Sequence, residues 1–140
     1  MAFQGNFTCN TFKTGLMNGT FNFTSGSFYL ALYTNSATLN EDTTAYTATG
    51  EASGGNYVAG GNLLTIAQVP TVGNGDTAFI SFNNTSWTGA ITARGALIYL
   101  SGGGNPAVCV LDFGADKTST ATFTVQFPSV TSTSAIIRIT

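Results

Sequence analysis

The sequence predicts an all-β protein, an antiparallel β-sandwich or jelly-roll-like barrel with one short N-terminal helix. Three observations carry this reading. Apolar side chains recur with a two-residue alternation in short runs spaced roughly ten residues apart. Clusters of Gly, Asn, Ser and Pro punctuate those runs. Only one segment has a helical spacing. The 140 residues fit a single β domain, 1–140, and a 43% hydrophobic content that includes 11 Phe and 5 Tyr supplies its core.

The helix is expected from Asn10 to Gly19. Asn10 or Thr11 caps its start, Phe12 and Leu16 fall on one face, and Asn18-Gly19 stops it. Gly15 costs about 1 kcal/mol relative to Ala, so the helix survives only if Phe12 and Leu16, with Met17 a third candidate, pack on something else. Ser27 to Thr34 is a strand with Phe28, Leu30 and Leu32 on one face and Tyr29, Ala31 and Tyr33 on the other. Further strands are expected over Asn62 to Val69, closed by Pro70, and over Thr77 to Phe82. Ala90 to Leu100 and Ala107 to Phe113 flank the turn Ser101-Gly102-Gly103-Gly104-Asn105 and form a hairpin. Ala121 to Phe127 turns Phe123, Val125 and Phe127 inward, and Ala135 to Thr140 is the last strand. Asn35 to Gly61 resists the pattern and is long for a structureless loop. It either holds a short strand at Tyr57-Val58-Ala59 or projects to touch a neighbour. Trp87 reads first as a core anchor, with an exposed binding aromatic as the alternative.

The hairpin makes a sharper claim. A turn centred on Gly103 puts Ile98 opposite Val108, Ala96 opposite Val110 and Arg94 opposite Asp112. Arg94 is either a solvent-facing residue of a half-exposed strand or one half of an ion pair that fixes register.

Chemistry is bounded by what the composition holds. There are 0 histidines, so the usual general base and the commonest metal ligand are missing. Cys9 and Cys109 have apolar neighbours and read as small core residues, too few for a disulfide framework or a four-ligand metal site. The six carboxylates, Glu41, Asp42, Glu51, Asp76, Asp112 and Asp116, lie mostly in polar segments with no paired-carboxylate signature. Asp112-Phe113-Gly114 lacks the other parts of a kinase site, and Gly102-Gly103-Gly104 lacks the lysine and helix of a phosphate loop. No catalytic, cofactor-binding or metal residue is therefore expected, and no enzyme activity. Four scattered basic residues against six acidic ones exclude a nucleic-acid surface. The sequence shows no membrane span and no signal peptide, and the cysteines fit a reducing cytoplasm.

A charged fraction of 7%, against about 25% in ordinary domains, makes the surface easy to desolvate and favours assembly. A homo-oligomer, a homotrimer first, is expected.

Phe12-Lys13 with Leu16 and Asn18-Gly19, Ala31-Leu32-Tyr33-Thr34 followed by Ser36-Ala37-Thr38-Leu39, and Thr43 with Ala45-Tyr46 resemble short virion proteins of tailed bacteriophages. So do Gly50-Glu51, Tyr57 with Ala59-Gly60-Gly61, the run Ile91 to Tyr99, Val110-Leu111-Asp112-Phe113-Gly114 and Phe127-Pro128. The resemblance implies a virion component assembled in the host cytoplasm. The first reading is a capsid decoration (cement) protein bound to the major capsid protein. The alternative is a small tail or fibre component, with the loop from Asn35 to Gly61 as a host glycan-binding tip. No catalytic residue carries over.

Overall fold

In the computed structural model, which describes residues 3–140, the chain runs β1 (Phe7–Thr8), α1 (Asn10–Asn18), β2 (Phe28–Tyr33), β3 (Asn62–Leu63), β4 (Ile66–Val72), β5 (Ala78–Phe82), β6 (Thr85–Thr88), β7 (Thr92–Leu100), β8 (Ala107–Thr118), β9 (Thr122–Val125) and β10 (Ile137–Ile139). Residues 1 and 2 of the expected domain lie outside that range. Every strand pair is antiparallel. The protein is all-β with one short N-terminal helix.

Alternation in β2 and β7 puts apolar side chains on both faces, so the sheet they form must be covered twice. That sheet has five strands in the order β1-β8-β7-β2-β3. One face packs on a second layer, made of a three-stranded sheet (β10-β5-β4) and a two-stranded one (β6-β9). Phe28, Leu30, Leu32, Ile98, Phe82 and Trp87 belong to the core between the layers. Ala31, Tyr33, Leu97, Tyr99 and Val110 belong to a second core on the other face, together with Phe3, Ala37 and Leu39. The two faces of β2 are those the alternation predicts.

α1 ends at Gly19, whose φ of 81° is left-handed and whose N–H bonds the Gly15 carbonyl. Its start differs from expectation. Cys9 holds the N-cap position with no side-chain hydrogen bond, because the Asn10 amide is turned to Asp42 instead, at 3.0 Å. Phe12 is buried and edge-packed on Phe21 and Phe23, with ring centroids 5.0 and 5.8 Å away. Leu16 is half-buried, while Met17 points to solvent at 91% exposure. Gly15 makes a tight seat: a Cβ there would stand 2.3 Å from the Phe21 ring.

β4 does not stop at Pro70 but continues to Val72. Gln68 faces Ser81 and Thr71 faces Phe79, so Val69-Pro70 form a bulge on this edge strand, where a missing N–H is tolerated. β8 runs on to Thr118, beyond the expected Phe113. β1 and β6 carry no periodic signal in the sequence, because two and four residues are too few to show a period.

The β7–β8 hairpin pairs one residue out of the expected register. Tyr99 faces Ala107, as a turn centred on Gly103 requires, but Ile98 then faces Cys109. Val108 is the extra residue of a bulge, and Val108 and Cys109 both belong to the inter-layer core. Ala96 faces Leu111 and Gly95 faces Asp112 as a result. Gly95 also admits Phe3: a Cβ there would meet the Phe3 ring at 2.4 Å.

The segment from Asn35 to Gly61 neither holds a strand at residues 57–59 nor projects. It folds back over the outer face of the five-stranded sheet, tied by isolated bridges between Tyr33 and Glu51 and between Ala45 and Pro106. Ala37 and Leu39 are buried in the second core. Gly61 brings the segment home, since at φ 82° a Cβ would lie 1.8 Å from the Leu30 carbonyl oxygen.

Candidate functional site

The densest polar cluster lies under that folded-back segment. Glu51 accepts hydrogen bonds from the Tyr46 hydroxyl at 2.7 Å, the Tyr57 hydroxyl at 2.5 Å and the Gly60 N–H at 2.8 Å. Tyr57 in turn accepts the Leu32 N–H of β2 at 2.9 Å. Tyr99 of β7 donates to the Gly60 carbonyl at 2.6 Å, and Tyr33 of β2 to the Thr47 carbonyl at 2.6 Å. Desolvation and the hydrogen bond to Glu51 both push the Tyr46 and Tyr57 hydroxyls well above the ordinary tyrosine range. Burial, with Glu51 nearby, raises Tyr99 to about 12. All four hydroxyls donate a bond, so the cluster clamps the segment to the sheet and presents no activated nucleophile. The sequence holds this cluster only as a lone Glu in a tyrosine-bearing segment.

Arg94 and Asp112 meet. Arg94 Nε donates to Asp112 Oδ1 at 3.2 Å, with the two side chains 19% and 11% exposed. The partners are diagonal, not opposed, and Arg94 sits at an irregularity where one β7 residue spans four of β8. Burial opposes ionisation of Asp112, but the Gly114 N–H, Arg94 and the Gly5 N–H together hold its pKa below the ordinary value. Asp112-Phe113-Gly114 is thus an irregular stretch of β8 with its carboxylate spent on structure.

Cys9 and Cys109 are free and buried. Desolvation raises the first to about 11 and the second to about 12, so both remain thiols at neutral pH. Trp87 is buried and packs on Tyr57 at 5.5 Å, as a core anchor should. Asp42 bonds Asn10 at the start of α1. Among the described residues, no three metal-ligating side chains converge, and no helix is long and apolar enough to cross a membrane.

What the surface does offer is apolar. Met17, Val58, Val72, Leu63, Val69 and Ile139 are each more than half exposed. β4 and β10, edge strands of one sheet, carry three of the six.

No family model, curated protein or solved structure matches the chain.

Proposed function

We propose that the chain is a non-enzymatic structural protein of a tailed-phage virion, a decoration (cement) protein that binds the outer capsid surface and stabilises the shell. The observation that carries this reading is the set of exposed apolar side chains on a surface almost free of charge. Such side chains gain free energy when covered, and few ions need to be stripped of water to cover them. Each contact with a capsid subunit is small, and a homotrimer multiplies it through effective concentration. The non-enzymatic part draws support from the candidate chemical groups: Glu51, Asp112 and both thiols are absorbed into packing and hydrogen bonding. The tail or fibre alternative relies on aromatic residues displayed by the segment from Asn35 to Gly61. Tyr46 and Tyr57 have their hydroxyls turned to Glu51, which favours the capsid reading.

The test is binding of purified protein to expanded capsids that lack it. Decoration predicts copy numbers comparable to the capsid protein, a higher temperature of capsid rupture, and a trimer by sedimentation at micromolar concentration. A handful of copies per virion transfers the protein to the tail. A turnover activity abolished by changing one carboxylate overturns the non-enzymatic reading.

A further inference from the structure

The two layers are left open along one side. β1 is the last strand of the five-stranded sheet and β10 the last of the three-stranded one, so each has a single neighbour. The two edges border a continuous groove. A cavity of about 460 Å³ and another of about 240 Å³ share Thr8, Cys109, Ile136 and Arg138. The larger is floored by Phe12, Leu16 and Val108, which belong to or pack against the inter-layer core. β10 itself is lightly held, by a three-residue ladder to β5 and a hydroxyl pair between Thr77 and Thr140. Among the described residues no strand pairs with its far edge, which is a template for a further strand.

Charge says what would sit there. Among the described residues, Lys13 and Arg138 are the only charged side chains lining either cavity, two of the four basic residues in a chain of net charge −2. Neither meets a carboxylate. Lys13 Nζ donates to the Asn10 amide oxygen at 3.4 Å and Arg138 Nη1 to the Thr133 carbonyl at 2.8 Å. The one salt bridge among the described residues is Arg94–Asp112. Asp42, bonded to Asn10 at the start of α1, does not line the groove.

We propose that this groove takes an extended, acidic segment of a partner protein, which adds to β10 as a further strand and bridges the two layers. A strand turns alternate side chains to opposite faces. Apolar residues of the segment then cover the floor, while the carboxylates between them meet Lys13 and Arg138. Main-chain bonds to the free edge supply affinity, and the two cations select acidic sequences. The inference rests on the assembly role proposed above and names where the partner sits.

The probe is the peptide acetyl-Val-Glu-Val-Glu-Val-Glu-amide, with its lysine counterpart as control. The acidic peptide should shift amide resonances of Thr8 and 137–139 and slow hydrogen exchange at β10. Lys13→Glu combined with Arg138→Glu should weaken it about tenfold or more. Both side chains are exposed, so the variant should keep the wild-type melting temperature within about 1–2 °C. Equal binding of the two peptides, binding that leaves β10 unprotected, or no binding of the acidic peptide overturns the groove. Expanded capsids separate the two proposals. A variant that decorates capsids normally overturns the groove and leaves the assembly role standing. Wild-type protein that ignores capsids yet takes the acidic peptide at β10 overturns the assembly role and leaves the groove.

Discussion

Replacing Gly15 with Ala inside a helix ordinarily stabilises by about 1 kcal/mol. Here the sign should reverse. The new Cβ would lie 2.3 Å from one Phe21 ring carbon and 2.5 Å from the next. Phe21 cannot swing clear without cost, because it is buried and its ring meets Phe12 edge-on at 5.0 Å. Overpacking of this kind costs about 1–3 kcal/mol, and losing the aromatic pair about 0.5–1.5 kcal/mol more. Set against the propensity gain, Gly15→Ala should destabilise by about 0.5–3.5 kcal/mol. The midpoint should fall by about 2–14 °C for a domain of this size. Thermal unfolding followed by circular dichroism measures the effect, and a double-mutant cycle with Phe21→Ala isolates its cause. On the Phe21→Ala background the same substitution should stabilise, since the clash is gone. A higher midpoint for Gly15→Ala on the wild-type background would refute the reasoning.

Glu51→Ala should cost about 2–5 kcal/mol, because two tyrosine hydroxyls and the Gly60 N–H lose their acceptor together. Hydrogen exchange should rise across residues 35–61 first. Asp112→Asn should remove part of the acid sensitivity. A carboxylate whose folded pKa is depressed contributes above its ordinary value of 3.8, and that contribution is lost as pH falls below it. Unfolding free energies at pH 3 and pH 6, from denaturant titrations, should therefore differ less in the variant than in the wild type. At the alkaline end the sign is opposite. Thiols raised from 9.0 to about 11 (Cys9) and about 12 (Cys109) favour the folded state fully below pH 9 and lose that contribution as pH climbs through 11–12. Cys9→Ala should flatten this limb by about 2–3 kcal/mol, read from denaturant titrations at pH 8 and pH 11.

Much of the fold is legible where side chains alternate. Phe28 through Tyr33 sort onto two faces, and both faces are buried because both are apolar. Phe123 and Val125 point inward for the same reason. Register is different. The turn fixes the pair nearest to it, Tyr99 and Ala107, but nothing in Ala-Val-Cys-Val announces that Val108 is an extra residue. Arg94 meets Asp112 although Gly95 is the residue opposed to it, because the arginine side chain is long enough to reach diagonally. The segment from Asn35 to Gly61 is ordered by hydrogen bonds from Tyr46, Tyr57 and Gly60 to one carboxylate, a pattern with no period to detect. The groove was equally invisible, since Lys13 and Arg138 stand near opposite ends of the chain.

The pairing of β1 with β8 carries a consequence for synthesis. Phe7 pairs with Val110, and the Asn6 side chain accepts the Asp112 N–H across 106 intervening steps of sequence. At elongation rates of about 5–20 residues per second, β1 leaves the ribosome on the order of 5–20 s before the strand it needs. β2 waits about two thirds as long for β7, and neither layer can close until the other arrives. During that interval Phe12, Phe21, Phe23 and Phe28 are in contact with water or with whatever binds nascent apolar chain. A fold whose contacts are this distant in sequence forms slowly, in milliseconds to seconds after release. Yield in the cell should therefore respond to chaperone supply and to growth temperature more than the stability of the finished protein would indicate.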